Sequence, residues 1–243
     1  MKILIVRHAD PDYSVDSLTP AGWLEAELLS ERLAARDVKA FYVSPMGRAK
    51  DTASLTLKKS GREAVEYPWL REFSPKIHRP DREEPIITWD WLPADWTAEP
   101  RHFDREAWCT TDIMREGSVD REYQWVVSGL DELLAKHGYV RQPEGYYQVV
   151  NANRDTIVLF CHFGVECVLL SRLLNISPMQ LWHGTCAAPS SVTTLTTEER
   201  RRGTASFRMS SFGDISHLYA GGREPSFTAR FCETFDCPEE RHD

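Results

Sequence analysis

The 243-residue chain is 42% hydrophobic and 27% charged, with a net charge of −8, a composition that fits a globular protein and excludes a fibrous or disordered one. The acidic balance argues against a nucleic-acid partner but leaves room for a small anionic substrate held in a local positive field. Apolar runs such as Thr156 to Cys161 are too short to span a bilayer and the N-terminus lacks a signal-peptide core, so a cytoplasmic protein with no membrane partner is expected.

Ile3 to Val6 is a continuous apolar run, the pattern of a buried parallel strand, and it ends on Arg7 and His8. Thr19 then stands as a candidate N-cap with Pro20 at the first helical position. Leu24, Leu28, Leu29 and Leu33 recur behind it at helical spacing. A second strand, Ala40 to Val43, runs into a helix starting at Ser44 or Pro45, and a third brief strand is expected at Ala64 to Glu66.

From Ser74 to Gly117 the chain turns rich in Pro, Trp, Arg and acidic residues and loses periodicity. It reads either as a lid or binding element or as a small subdomain packed on its own tryptophans. An amphipathic helix follows and stops at Gly138. Residues 139–155 form a hairpin or a long loop. A strand from Thr156 then ends at His162 and leads into another helix. Two sequential strands around "RRRG" pair as a late hairpin, and residues after about Gly221 form a surface tail. The alternation of strands and helices predicts a three-layer α/β/α sandwich, with a mostly parallel central sheet, one antiparallel strand and an irregular insertion.

Four places repeat one theme. Arg7 and His8 follow the first strand; Ser44, Pro45 and Arg48 follow the second; Glu72 follows the third; His162 ends the fourth. In a parallel sheet these points share one edge, where open α/β folds bind ligands. Two arginines, two histidines and a glutamate converging there suit phosphoryl transfer. Arginine forks match phosphate oxygens, and Arg48 opens a helix whose N–H groups favour an anion. A neutral histidine can attack phosphorus, a second can stabilise the equatorial oxygens, and a carboxylic acid can protonate the leaving alkoxide.

"VRHAD", "LTPAGWLEA", "YVSPMGRAKDTA", "WLREF" and "VLFCHFG", in that order, resemble the histidine phosphatase superfamily, in its phosphoglycerate mutase-like branch; "SSVTTL" extends the likeness toward the C-terminal strands. The resemblance implies that His8 is the phosphorylated nucleophile, Arg7 and Arg48 bind phosphate, His162 is the second catalytic and phosphate-binding histidine, and Glu72 is the proton donor. The related acid phosphatases carry an Asp directly after the second histidine, where this chain has Phe163, which points to Glu72 as the donor. Two small residues of the pattern are replaced: the glycine after the first histidine is Ala9, and the first glycine after the second is Phe163. Asp10 stands where the commoner residue is Glu.

These readings combine into one histidine-phosphatase-like domain over residues 1–243, with the insertion at about 74–117 covering or flanking the site. The expected activity is a metal-independent phosphomonoesterase acting on a small phosphorylated metabolite, with no cofactor. Mutase-type phosphotransfer and a non-catalytic phospholigand-binding module are the alternatives; no basic patch in the insertion suggests a second phosphate. Glu72 also has a plain reading as a salt-bridge partner of Arg71, and His183 and His217 read as structural residues in turns. Trp89, Trp91 and Trp96 read as packing or as pocket lining. The histidines show no HxH or HExxH spacing and the six cysteines no CxxC, so no metal is expected; only Cys232 and Cys237 lie close together.

Overall fold

A computed structural model describes residues 1–226 and 231–237. Eight strands form the central sheet: β1 (Lys2–Arg7), β2 (Ala40–Val43), β3 (Ala64–Glu66), β4 (Tyr139–Arg141), β5 (Tyr147–Val149), β6 (Thr156–Cys161), β7 (Val192–Arg201) and β8 (Thr204–Asp214). Their order across the sheet is β3-β2-β6-β1-β7-β8-β5-β4. The four strands β3, β2, β6 and β1 are mutually parallel, while every pair from β1–β7 to β5–β4 is antiparallel. The expected single antiparallel strand is therefore corrected to two, β7 and β5, both running against the other six. The second arises because residues 139–149 fold as a true hairpin that extends the sheet past β8.

Helices α1 (Pro20–Ala34), α2 (Gly47–Ser60), α3 (Val119–Lys136), α4 (Phe163–Leu174) and α5 (Pro178–Gly184) supply the flanking layers. One apolar cluster under the sheet joins Ile3, Ile5, Ile157 and Leu159 to α3 and α4; a second joins Leu4, Val6, Val158 and Phe160 to α1 and α2. β1 and β6 are thus buried on both faces, as their unbroken aliphatic sequences dictate. Each fully buried Ile, Leu or Val contributes about 1.5–3 kcal/mol, which fixes these strands and the residues at their ends.

Thr19 caps α1 as expected, its Oγ1 accepting from Gly22 N at 3.0 Å. The buried face of α1 differs from the leucine stripe, because Leu24 is exposed while Gly22, Glu25, Ala26, Leu29 and Leu33 face inward. Gly22 causes the rotation: a Cβ there would lie 2.2 Å from Asp10 O, so the helix presses its glycine against the segment that follows His8. The helix after β2 begins at Gly47, two or three residues later than expected, since Ser44 is engaged elsewhere.

Residues 74–117 contain a two-stranded pairing of Lys76–Ile77 with Ile86–Ile87, short helices at Pro93–Trp96 and Asp112–Glu116, and a 3-10 turn at Pro100–Phe103. Its Ile77, Trp91, Trp96, Trp108, Cys109 and Met114 sit in the same buried cluster as Ile3 and Ile5 of the sheet. The tail expected after Gly221 lies partly outside the described residues. Among the described residues, no helix is long and apolar enough to cross a membrane.

Candidate active site

The parallel half of the sheet carries the predicted residues to one edge. Arg7 pairs with Cys161, Val6 and Val43 both pair with Phe160, and Val43 pairs with Glu66, so the carboxyl ends of β1, β6, β2 and β3 stand in register. His8, His162 and Ser44 each follow directly from such an end. His8 N donates to Cys161 O and Ser44 N to Phe160 O, so the ladder continues one residue past the strands.

His8 is 2% and His162 0% exposed, with ring centroids 5.1 Å apart. His8 Nδ1 lies 2.8 Å from Ala9 O. A carbonyl only accepts, so Nδ1 carries the proton and Nε2 keeps its lone pair. Burial and then the Arg7 guanidinium lower the His8 pKa to about 3, and Arg48 adds to this. The ring is therefore neutral at physiological pH, as a nitrogen nucleophile must be. Ala9 needs no left-handed backbone and its N–H donates to Thr52 Oγ1, so replacement of the glycine costs nothing here.

His162 Nε2 is 2.7 Å from Ser44 Oγ, which itself accepts from Met46 N. The hydroxyl proton is then free to go to Nε2, leaving the proton of the ring on Nδ1. That atom is buried with no partner among the described residues. Burial, His8 and the two arginines all push its pKa well below the usual value. His162 can thus donate one hydrogen bond without carrying charge.

The two arginines are held differently. Arg7, 8% exposed, donates to Ala187 O and places its guanidinium 5.9 Å from the Phe163 ring centroid. Arg48, 6% exposed, donates to Asp16 Oδ1 at 2.6 Å, and Tyr13 lies 5.4 Å beyond. Asp16 also accepts from Gly47 N at the start of α2. Burial raises its pKa, but the bonds from Gly47 and Arg48 outweigh it and hold the carboxyl ionised. Asp16 was not foreseen; its only sequence signal is a short polar residue of the kind that tolerates the left-handed turn found there, φ +50°.

Glu72 joins this group and leaves Arg71 to pair with Glu122. Its Oε1 accepts from Phe73 N at 2.8 Å and from Val165 N at 3.0 Å, at the N-terminus of α4. Burial nevertheless prevails over these bonds and over Arg7, and its pKa is raised. Gly164 makes the approach possible: a Cβ there would meet Glu72 Oε1 at 2.7 Å and Trp89 Nε1 at 2.5 Å.

The remaining candidates are accounted for in packing. His183 bonds Met179 O and Trp91 N and stacks on Trp96, while His217 bonds Ser190 Oγ. Trp91 and Trp96 are buried, whereas Trp89 is half-buried beside Phe163, their rings edge to face at 6.1 Å. Cys232 and Cys237 are both free, and no cluster of potential metal ligands occurs among the described residues. A second unforeseen residue is Glu166, 1% exposed in the first turn of α4, with no hydrogen bond to either carboxylate oxygen among the described residues. Burial pushes its pKa from 4.5 up to about 7, against the pull of Thr193 and Arg7. The signal was present: one ionisable residue inside the otherwise apolar "VECVLL".

A strand-end histidine pair flanked by two arginines and a raised carboxyl agrees with the comparisons. The sequence model of the histidine phosphatase superfamily (branch 1) matches residues 3–209, and the chain belongs to that superfamily. Among solved structures, mycobacterial hydrolase 2 superposes with a TM-score of 0.58 at 18% identity, over 92% of this chain and 97% of the other. A phosphoserine phosphatase mutant from Entamoeba histolytica, in complex with phosphoserine, gives 0.55 at 15% identity, over 89% and 98%. A mycobacterial glucosyl-3-phosphoglycerate phosphatase complexed with VO3 gives 0.54 at 20% identity, over 87% and 98%. The curated protein sequences contain no match. Membership in this superfamily makes the chain an enzyme of the phosphatase class, and identities this low establish its fold but no substrate.

Proposed function

We propose that this protein is a metal-independent phosphomonoesterase that works through a phosphohistidine on His8. The observation that carries the proposal is the tautomer of His8. Its Nδ1–H is committed to Ala9 O, which leaves the Nε2 lone pair available on a ring that lies 5.1 Å from that of His162 and feels the charges of Arg7 and Arg48.

In the first half-reaction His8 Nε2 attacks phosphorus and the P–O ester bond breaks. The electron pair leaves on the ester oxygen, which takes the proton of the Glu72 carboxylic acid. Arg7 and Arg48 hold the phosphoryl oxygens, and His162 Nδ1–H donates to one of them as charge develops. In the second half-reaction the Glu72 carboxylate takes a proton from water. That water attacks phosphorus, the P–N bond breaks, and His8 recovers its lone pair. The raised pKa of Glu72 suits a group that must begin protonated. A small phosphorylated metabolite as substrate is supported by the neighbours named as phosphoserine and glucosyl-3-phosphoglycerate phosphatases.

Incubation with p-nitrophenyl phosphate in excess EDTA tests this. Turnover should survive chelation and disappear in His8→Ala. A requirement for added metal would refute the mechanism. Tight phosphate binding without turnover would make the protein a binding module, and dependence on 2,3-bisphosphoglycerate with 3-phosphoglycerate as substrate would make it a mutase.

A further inference from the structure

We infer that the leaving group of the natural substrate carries an aromatic ring, received by a wall that Phe163 and Trp89 build beside Glu72; the inference rests on the phosphatase reading above. Three observations place the wall. The Phe163 ring lies 5.9 Å from the Arg7 guanidinium, the Trp89 ring meets Phe163 edge to face at 6.1 Å, and Trp89 Nε1 and Glu72 Oε1 both approach Gly164. On the phosphatase reading, a phosphoryl group held by Arg7 and Arg48 and attacked by His8 turns its ester oxygen toward Glu72, the proton donor proposed above. The carbon bearing that oxygen then comes to rest against the two rings.

That wall has little to offer a hydroxyl group. The Trp89 indole N–H is already given to Phe73 O at 2.8 Å, and Phe163 has no polar atom. A polyol or amino-acid leaving group would lose water there without a replacement partner, which disfavours it. A flat ring instead gains contact area and an edge-to-face or stacked arrangement with both residues. Tyr13, exposed and 5.4 Å from the Arg48 guanidinium, places a third ring beside the other phosphate-binding arginine. Phe163 takes the place of the glycine found in the resembling pattern, so the wall belongs to this chain rather than to the catalytic apparatus.

The test compares benzyl phosphate with glycerol 1-phosphate, both with alcohol leaving groups, so that leaving-group acidity does not masquerade as recognition. Benzyl phosphate should show a kcat/KM ~10- to 100-fold higher. The ratio should fall about tenfold in Phe163→Gly and in Trp89→Leu, and hold in Phe163→Tyr, which keeps the ring. Equal rates for the two esters, equal rates for benzyl and cyclohexylmethyl phosphate, or a ratio unchanged in both ring-removing variants would overturn the inference. Calorimetry with 2-phenylethylphosphonate and 3,4-dihydroxybutylphosphonate, in which a methylene replaces the ester oxygen of each substrate, reads the same preference without turnover. If no ester is hydrolysed, the phosphatase reading fails while the phosphonates still decide the wall; equal phosphonate affinities would reject the wall alone.

Discussion

The carboxyl edge of the parallel strands and the 74–117 segment solve opposite problems. At the edge, Arg7, His8 and His162 stand at the ends of β1 and β6, which are buried on both faces, and the register of β1, β6, β2 and β3 brings the segments that carry Arg48 and Glu72 beside them. In the insertion no long element exists, and its place is set by side chains: Trp108 is fully buried against Tyr123 and Trp182, and Arg79 is tied to Asp81 and to Asp90 O. The edge fixes position by backbone and leaves its side chains free for the proposed chemistry. The insertion spends its side chains on position, and Trp89 is what it delivers to the site.

If the edge alone carries the chemistry, the largest effect should come from His8. His8→Ala should lower kcat for p-nitrophenyl phosphate by at least about 10³-fold, with the far-UV spectrum unchanged, because no other group can form the covalent intermediate. A loss below tenfold would remove His8 from its role. Glu72→Gln should come next and depend on the substrate. Alkyl phosphates, whose leaving groups need a proton, should lose about 10²-fold or more, and aryl phosphates much less. In the unaltered enzyme the alkyl-phosphate rate should fall on the alkaline side as the raised Glu72 carboxyl ionises. Equal losses for both substrates would deny it the role of acid.

The contrast also explains what could be read in advance. Runs such as "KILIV" and "TIVLFC" can only be doubly buried strands, and polar residues at their ends therefore share an edge once the sheet is parallel. His8, His162, Arg7, Arg48 and Glu72 were legible for that reason. Asp16 was not, because its contact with Arg48 depends on a tight turn that no periodicity announces. Nor was the pairing of Trp89 with Phe163, which spans 74 residues of sequence and rests on an indole bond to Phe73 O. The start of α2 at Gly47 rather than at Ser44 or Pro45 was not legible either, because the Ser44 hydroxyl is engaged by His162, 118 residues away.

Because Trp108, Trp96 and Met114 share a buried cluster with Ile3 and Ile5, we expect insertion and sheet to melt together. Trp108→Ala should cost about 3–5 kcal/mol and shift one cooperative urea transition. Two separate transitions, with only the first moved, would mean that the insertion is a satellite.

The smallest effect concerns Glu166, which lies beneath the edge near Arg7, Thr193 and Glu72 without a role in the proposed chemistry. Its folded pKa of about 7 exceeds the ordinary 4.5. Between these values the folded state holds a proton that the unfolded state has released, so the contribution of Glu166 is fully present below about pH 4.5 and is lost as pH rises to about 7. His8 works in the opposite sense. Its depressed pKa contributes stability above pH 6.5 that is lost as pH falls toward about 3. A profile of the unaltered protein would mix the two, whereas the difference between it and Glu166→Gln cancels His8. The glutamine variant should match the parent near pH 4.5, gain on it as pH rises, and level off above pH 7 with an advantage of roughly 3 kcal/mol. A difference that stays flat with pH would mean that the Glu166 carboxyl titrates as it does in the unfolded chain and is ionised at neutral pH, facing Arg7. In that case the guanidinium would meet phosphate already half-neutralised, and Glu166→Gln should tighten phosphate binding instead.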